Sequence, residues 1–126
     1  MSFVYLASPY THHDLRIVEE RAEAVADAVA GFLRKGKFVY SPIVHCHEIA
    51  KKYDMPKDFG FWKAYNFAML SKASSLWVMR LPGWEASVGV CSEIEFAKSF
   101  GLPIYFVPAE SISSSYEACG SGENLG

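Results

Sequence analysis

The residues most able to do chemistry lie in Gly83-Trp84-Glu85-Ala86-Ser87-Val88-Gly89-Val90-Cys91-Ser92-Glu93. This stretch reads as an irregular turn that feeds a helix. At a helix N-terminus the unpaired N–H groups and the positive end of the dipole favour a phosphate or a carboxylate. Gly89 would let the backbone come close to such a ligand, and Ser87 adds a hydroxyl donor. Glu93 falls about one turn into the helix, where the dipole favours the ionised carboxylate. An ionised, positioned glutamate can act as a nucleophile toward an anomeric carbon. The same spacing also describes a plain N-cap serine followed by a first-turn acid. Because such caps are common, spacing alone favours that simpler arrangement.

A second cluster is Ser8-Pro9-Tyr10-Thr11-His12-His13-Asp14. Tyr10 could stack on a base, and Ser8 or Thr11 could bond a phosphate or a sugar. An ordinary strand-to-helix turn explains the run about equally well. The third cluster is Ser41-Pro42-Ile43-Val44-His45-Cys46-His47-Glu48. His-x-His beside a cysteine and a glutamate invites a metal reading. Zinc sites usually draw on a second ligand pair, and the other histidines are His12 and His13. His45 is therefore expected as a polar pocket group or a satisfied surface group, and no metal or organic cofactor is expected. Of the tryptophans, Trp62 and Trp77 read as core. Trp84 follows Pro-Gly in the turn, where base stacking or lid packing is a candidate role. A Gly-x-Ser-x-Gly elbow, a Walker A run and a Gly-x-Gly-x-x-Gly fingerprint are all missing.

The elements that must position these groups alternate. Phe3–Ala7 reads as a buried strand, with capping-box spacing from Thr11 to Asp14. Val18, Ala22, Val25, Val29, Phe32 and Leu33 then share one helical face, closed by Gly36. Strands are expected at Lys37–Tyr40, Leu76–Leu81 and Leu102–Val107. Helices are expected at Ile43–Lys52, Phe61–Ser71 and Val90–Phe100, with a loop over Tyr53–Gly60. The order β-α-β-α-α-β-α-β predicts one α/β domain over residues 1–109. Its architecture is a doubly wound, flavodoxin-like or Rossmann-like sheet of four to five mostly parallel strands with helices on both faces. Ligands in such folds sit beyond the carboxyl ends of the strands, at the topological switch point. Residues 110–126 are rich in Ser and Gly and read as a tail, part of which looks like a tag remnant.

Composition agrees with a small-molecule protein. The 126 residues are 51% hydrophobic and 15% aromatic, enough for a real core. The net charge is −2 with scattered cations, which argues against long nucleic acid as a partner. No apolar run approaches the ~20 residues of a membrane span. Three cysteines without CxxC spacing, and an opening that lacks signal-peptide character, predict a cytoplasmic protein.

The run Ser87-x-Gly89-Val90-x-x-Glu93-Ile94-x-x-Ala97, then Gly101-x-Pro103-Ile104, resembles the carboxyl half of nucleoside 2-deoxyribosyltransferases. It is closer still to the related deoxyribonucleoside 5′-monophosphate N-glycosidases. Tyr5-Leu6-Ala7-Ser8-Pro9-Tyr10 resembles their first strand and binding loop. Pro-Gly-Trp-Glu-x-Ser-x-Gly-Val and Ser-Pro-Ile-x-x-x-His look like marks of a branch of small bacterial and phage proteins. The resemblance covers roughly residues 3 to 107. It implies that Glu93 is the nucleophile toward C1′ and that Ser87 helps hold a 5′-phosphate. It also implies a homo-oligomer in which a neighbouring subunit often completes the pocket. Where those enzymes usually carry an aspartate, this chain has Asn66, which cannot serve as an acid or base. The proton would then come from Asp14, Glu85, His45 or Tyr10, or catalysis would be weak or absent. Three functions follow: an N-glycosidase or deoxyribosyltransferase, a non-catalytic nucleotide or sugar-phosphate sensor, and, more weakly, a glycohydrolase of another ribosyl compound.

Overall fold

A computed structural model of the chain describes residues 1–109. The expected tail, with Cys119, lies outside the described residues. The elements run β1 (Val4–Ala7), α1 (Leu15–Arg34), β2 (Val39–Tyr40), α2 (Pro42–Lys52), α3 (Phe59–Leu70), β3 (Ser75–Arg80), α4 (Val88–Phe100) and β4 (Ile104–Pro108). The four strands form one parallel sheet in the order β2-β1-β3-β4. The chain leaves β1 toward one edge and returns to pair β3 on its other side, so the switch point lies between β1 and β3. The loops after those two strands open there.

Alternation along the strands divides the core in two. Leu6, Trp77, Met79 and Val107 face α1 and meet Val25, Val29 and Phe32. Tyr5, Ala7, Leu76 and Val78 face the other way, toward Leu70 of α3 and Val90 and Ala97 of α4. Both faces of the sheet are thus covered, which is why its strands read as nearly continuous apolar runs. Trp77 is core as expected, edge-on to Phe32 with ring centroids 5.3 Å apart.

Several boundaries move, each for a local reason. The N-cap of α1 is Asp14, whose carboxylate accepts from the Arg16 N–H, and not Thr11. Thr11 instead donates its hydroxyl to the Lys57 carbonyl at 3.1 Å, tying the loop after β1 to the segment before α3. Helix α3 starts at Phe59 because Asp58 caps it through the Phe61 N–H, so the last two residues of the expected loop are helical. Ser41 caps α2 through the Val44 N–H and Pro42 opens it, a first-turn position that needs no N–H. Leu33 is exposed, and Ala28 fills the core stripe of α1 instead. Gly83 adopts a φ of 90°, and a Cβ there would meet the Arg21 guanidinium at 2.8 Å. That guanidinium donates to the carbonyls of Thr11 and Pro82, clamping the two switch-point loops together.

Candidate functional site

The loops beyond β1, β2 and β3, together with α3 and α4, enclose a cavity of about 420 Å³. That is within the range of small-molecule sites. Glu93 stands at its base. It is the sixth residue of α4, a full turn beyond the first N–H groups, and only 4% of its surface is exposed. The Tyr5 hydroxyl, on the neighbouring strand, donates to Glu93 Oε2 at 2.5 Å. The Asn66 amide, from α3, donates to the same carboxyl group. Burial pushes the Glu93 pKa up to about 7, and these two hydrogen bonds pull it back only in part. The expectation that the helix dipole keeps Glu93 ionised is therefore corrected. The residue lies too deep in the helix and too far from water for the dipole to govern it.

Two further polar atoms at the cavity wall are buried without a partner in the protein. They are Ser8 Oγ, at the end of β1, and Asn66 Oδ1. Buried polar groups are nearly always hydrogen-bonded, so these two atoms leave bonds for water or a polar ligand to complete. Ser87 is the N-cap of α4 and accepts from the Val90 N–H at 3.2 Å, the simpler of its two readings. Its hydroxyl proton is not used by that bond, and Ser87, Val88 and Gly89 all line the cavity. Gly89 makes room for the Phe59 ring, since a Cβ there would lie 3.1 Å from Cδ1. What closes on the α4 backbone is thus a side chain of α3.

The opposite wall carries a chain of polar contacts. The Tyr10 hydroxyl lies 2.6 Å from His47 Nδ1, His47 Nε2 lies 3.0 Å from Glu19 Oε2, and Lys51 Nζ lies 3.2 Å from the same oxygen. His47 is 6% exposed. The two histidines of the His-x-His run diverge. His45 is exposed, stacks on Tyr65 and bonds its hydroxyl at 2.9 Å, and it does not line the cavity. Among the described residues, no group of three His, Cys, Asp or Glu side chains converges as metal ligands do. Cys46 also lines the cavity, but burial pushes its thiol pKa up, away from the reactive thiolate.

The remaining expectations sort by side of the fold. Pro9 is buried and shapes the turn after Ser8 without reaching the cavity. Trp84 packs on Phe106 of β4, 5.5 Å between centroids, and stands outside the cavity, because the Gly83 turn directs it toward the sheet edge. Trp62 is half-buried, not core. It lines the cavity and donates its indole N–H to the Pro56 carbonyl at 2.7 Å. Of the four candidate proton sources, only Tyr10 reaches the cavity. Asp14 caps α1 and pairs with Arg16, and Glu85 is exposed.

The family model described as "Domain of unknown function (DUF1937)" matches residues 2–108. The chain belongs to that family. The match takes in every strand and helix of the described fold and every residue of the cavity, so the site is a feature of the DUF1937 domain itself. No curated protein matches the chain. No helix among the described residues of this DUF1937 domain is long and apolar enough to cross a membrane.

Tyr5, His47, Glu19 and Trp62 belong to the site, yet the sequence points none of them to this role: His47 reads there as part of a metal-like His-x-His run and Trp62 as core. Tyr5 hides in an apolar strand, where its parity with Ala7, opposite to Leu6, is the one available signal. Glu19 and His47 are 28 residues apart and meet only through the packing of α2 on α1.

Proposed function

We propose that this DUF1937 domain cleaves, or exchanges the base at, the N-glycosidic bond of a nucleoside or nucleoside 5′-monophosphate. The observation that carries the reading is Glu93: a buried carboxylate, oriented by Tyr5 and Asn66, at the base of a cavity at the switch point. The resemblance to deoxyribosyltransferases and 5′-monophosphate N-glycosidases supports the same residue. A Glu93 oxygen attacks C1′ while the C1′–N bond breaks, and the bond's electron pair leaves on the base nitrogen. Water, or a second base, then displaces the carboxylate from C1′ and restores it. The Ser8 hydroxyl can donate to the phosphate or the sugar, and Asn66 Oδ1 can accept from a sugar hydroxyl. Ser87 and the backbone N–H groups at the start of α4 suit an anion, with Lys57 at the same cavity. The apolar and aromatic lining, including Phe59 and Trp62, suits a base. The reading extends to a cytoplasmic homo-oligomer.

The test is chromatographic detection of free base from ribo- and deoxyribonucleosides and their 5′-monophosphates, with Glu93→Gln as the control. Release is expected in the wild type and lost by at least ~10³-fold in the variant. Because only the ionised carboxylate attacks, kcat/KM should rise with pH through a midpoint near 7.

Asn66 favours a second reading, a nucleotide or sugar-phosphate sensor without turnover. An amide stands where the resembling enzymes carry a proton-transferring aspartate. Ligand binding by calorimetry with no base released across the panel would select it.

A further inference from the structure

A nucleobase leaves poorly as an anion, so cleavage at neutral pH needs an acid at the departing nitrogen. Asn66 cannot supply the proton, Asp14, Glu85 and His45 do not reach the cavity, and Asp58, which does, spends its carboxylate on the N-cap of α3. Tyr10 reaches the cavity too, and it stands at the head of the contacts to His47 and Glu19. We propose that Tyr10 is the catalytic acid that protonates the leaving base, with His47 behind it as the proton store and Glu19 as the group that orients His47. This inference rests on the glycosidic reading of the Glu93 site.

Glu19 is ionised, since its contacts with Lys51 and His47 hold its pKa below the usual glutamate value. His47 Nε2 therefore donates to it. When the imidazole is protonated, Nδ1–H donates to the Tyr10 oxygen, and the phenolic O–H is free to point into the cavity. As the C1′–N bond breaks, the Tyr10 proton passes to the base nitrogen and the Nδ1 proton passes to the Tyr10 oxygen. The products are a neutral base, a neutral tyrosine and a neutral histidine whose Nε2–H still meets Glu19. Protons and electron pairs balance, and no phenolate accumulates. The second transfer is needed because burial, with Glu19, Cys46 and Glu48 nearby, pushes the Tyr10 pKa up to about 12. Alone, such a hydroxyl gives up its proton reluctantly. The charged and titratable groups around the pair are Glu19 from α1 and Cys46, Glu48 and Lys51 from α2. Lys51 bridges Glu19 and Glu48, fixing the carboxylate that fixes the imidazole.

The experiment compares leaving groups that do and do not need a proton. Wild type, Tyr10→Phe, His47→Gln and Glu93→Gln are assayed on the best-cleaved nucleoside or nucleotide. They are also assayed on two activated substrates of the same sugar, the 4-nitrophenyl glycoside and the N7-methylated purine nucleoside. Tyr10→Phe should lose ~10²-fold or more in kcat/KM on the ordinary substrate and only a few-fold on an activated one. His47→Gln should show the same split. Glu93→Gln should fail on every substrate. Equal losses on ordinary and activated substrates in Tyr10→Phe would make Tyr10 a binding or structural group and overturn the relay. A wild type that cleaves none of the substrates would overturn the glycosidic reading, and the relay with it.

Discussion

A carboxylate with 4% of its surface exposed loses most of its hydration, and at Glu93 the donors Tyr5 and Asn66 restore only part of what water would give. The consequence reaches stability as well as catalysis. An unfolded chain has its glutamate near the ordinary 4.5, whereas the folded protein holds Glu93 near 7. Between those values the native state binds more protons than the unfolded one. Stability therefore falls as pH rises through the window, and the loss is complete above about 7. Glu93→Gln has no proton to lose and keeps a neutral group of the same shape. Its unfolding free energy should exceed the wild type's at pH 8, by on the order of 3 kcal/mol at most, and the gap should close below about pH 5. A gap that widens as pH falls would mean that the folded protein prefers the charged form. Glu93 was legible in the sequence because a turn, a glycine and a helix start preceded it. Its protonation was not, because burial depends on Tyr5 and Asn66, which arrive from a strand and a helix far along the chain.

Elements carry a different ambiguity, and Ser87 shows it. Its oxygen caps α4 and the residue lines the cavity, so one side chain can serve the helix through its oxygen and a ligand through its proton. Two substitutions separate these roles. Ser87→Ala removes the cap and should cost ~1 kcal/mol in denaturant unfolding, while glycine is a tolerable N-cap and Ser87→Gly should cost only a few tenths. If the hydroxyl also holds substrate, KM for a 5′-monophosphate should rise in both variants alike. If it only caps, any rise should follow the stability loss and be absent in Ser87→Gly. The helices and strands were readable from apolar periodicity. Their starts were not, because the caps chosen were Asp14 and Asp58, while the more conspicuous Thr11 spends its hydroxyl on Lys57 across a loop. His45 and His47 share an element and a motif, yet two residues along a helix turn side chains about 200° apart. One therefore meets Tyr65 outside the cavity and the other meets Tyr10 at its wall.

At the scale of the molecule, the strand alternation already placed a site at the carboxyl ends of the sheet, since an open parallel sheet has its crevice where the chain reverses direction. What a single chain's sequence leaves open is the surface, and α3 shows why. Apart from Lys63 and Asn66 it is built of apolar, aromatic and small residues, FGFWKAYNFAML, yet its buried positions are Asn66 and Leu70. Phe61 and Tyr65 stand 49% and 43% exposed, and Phe100 of α4 stands 55% exposed. Phe67 stacks on Phe96, and Phe96 on Phe100, in a ladder that runs out to the surface. A helix that is apolar on all sides belongs in an interior, and exposed aromatic side chains on both sides of α3 offer surface for a contact. The homo-oligomer proposed above would bury these exposed aromatics against neighbouring copies, beside the α3 residues that line the cavity. Sedimentation of the wild type should then show a dimer or larger species at micromolar concentration. Phe61→Glu combined with Phe100→Glu should shift it to monomer. Since both side chains are exposed, the variant's unfolding as a monomer should change little, within ~0.5 kcal/mol per site. A wild type that sediments as a monomer throughout would leave the cavity to be completed by this chain alone.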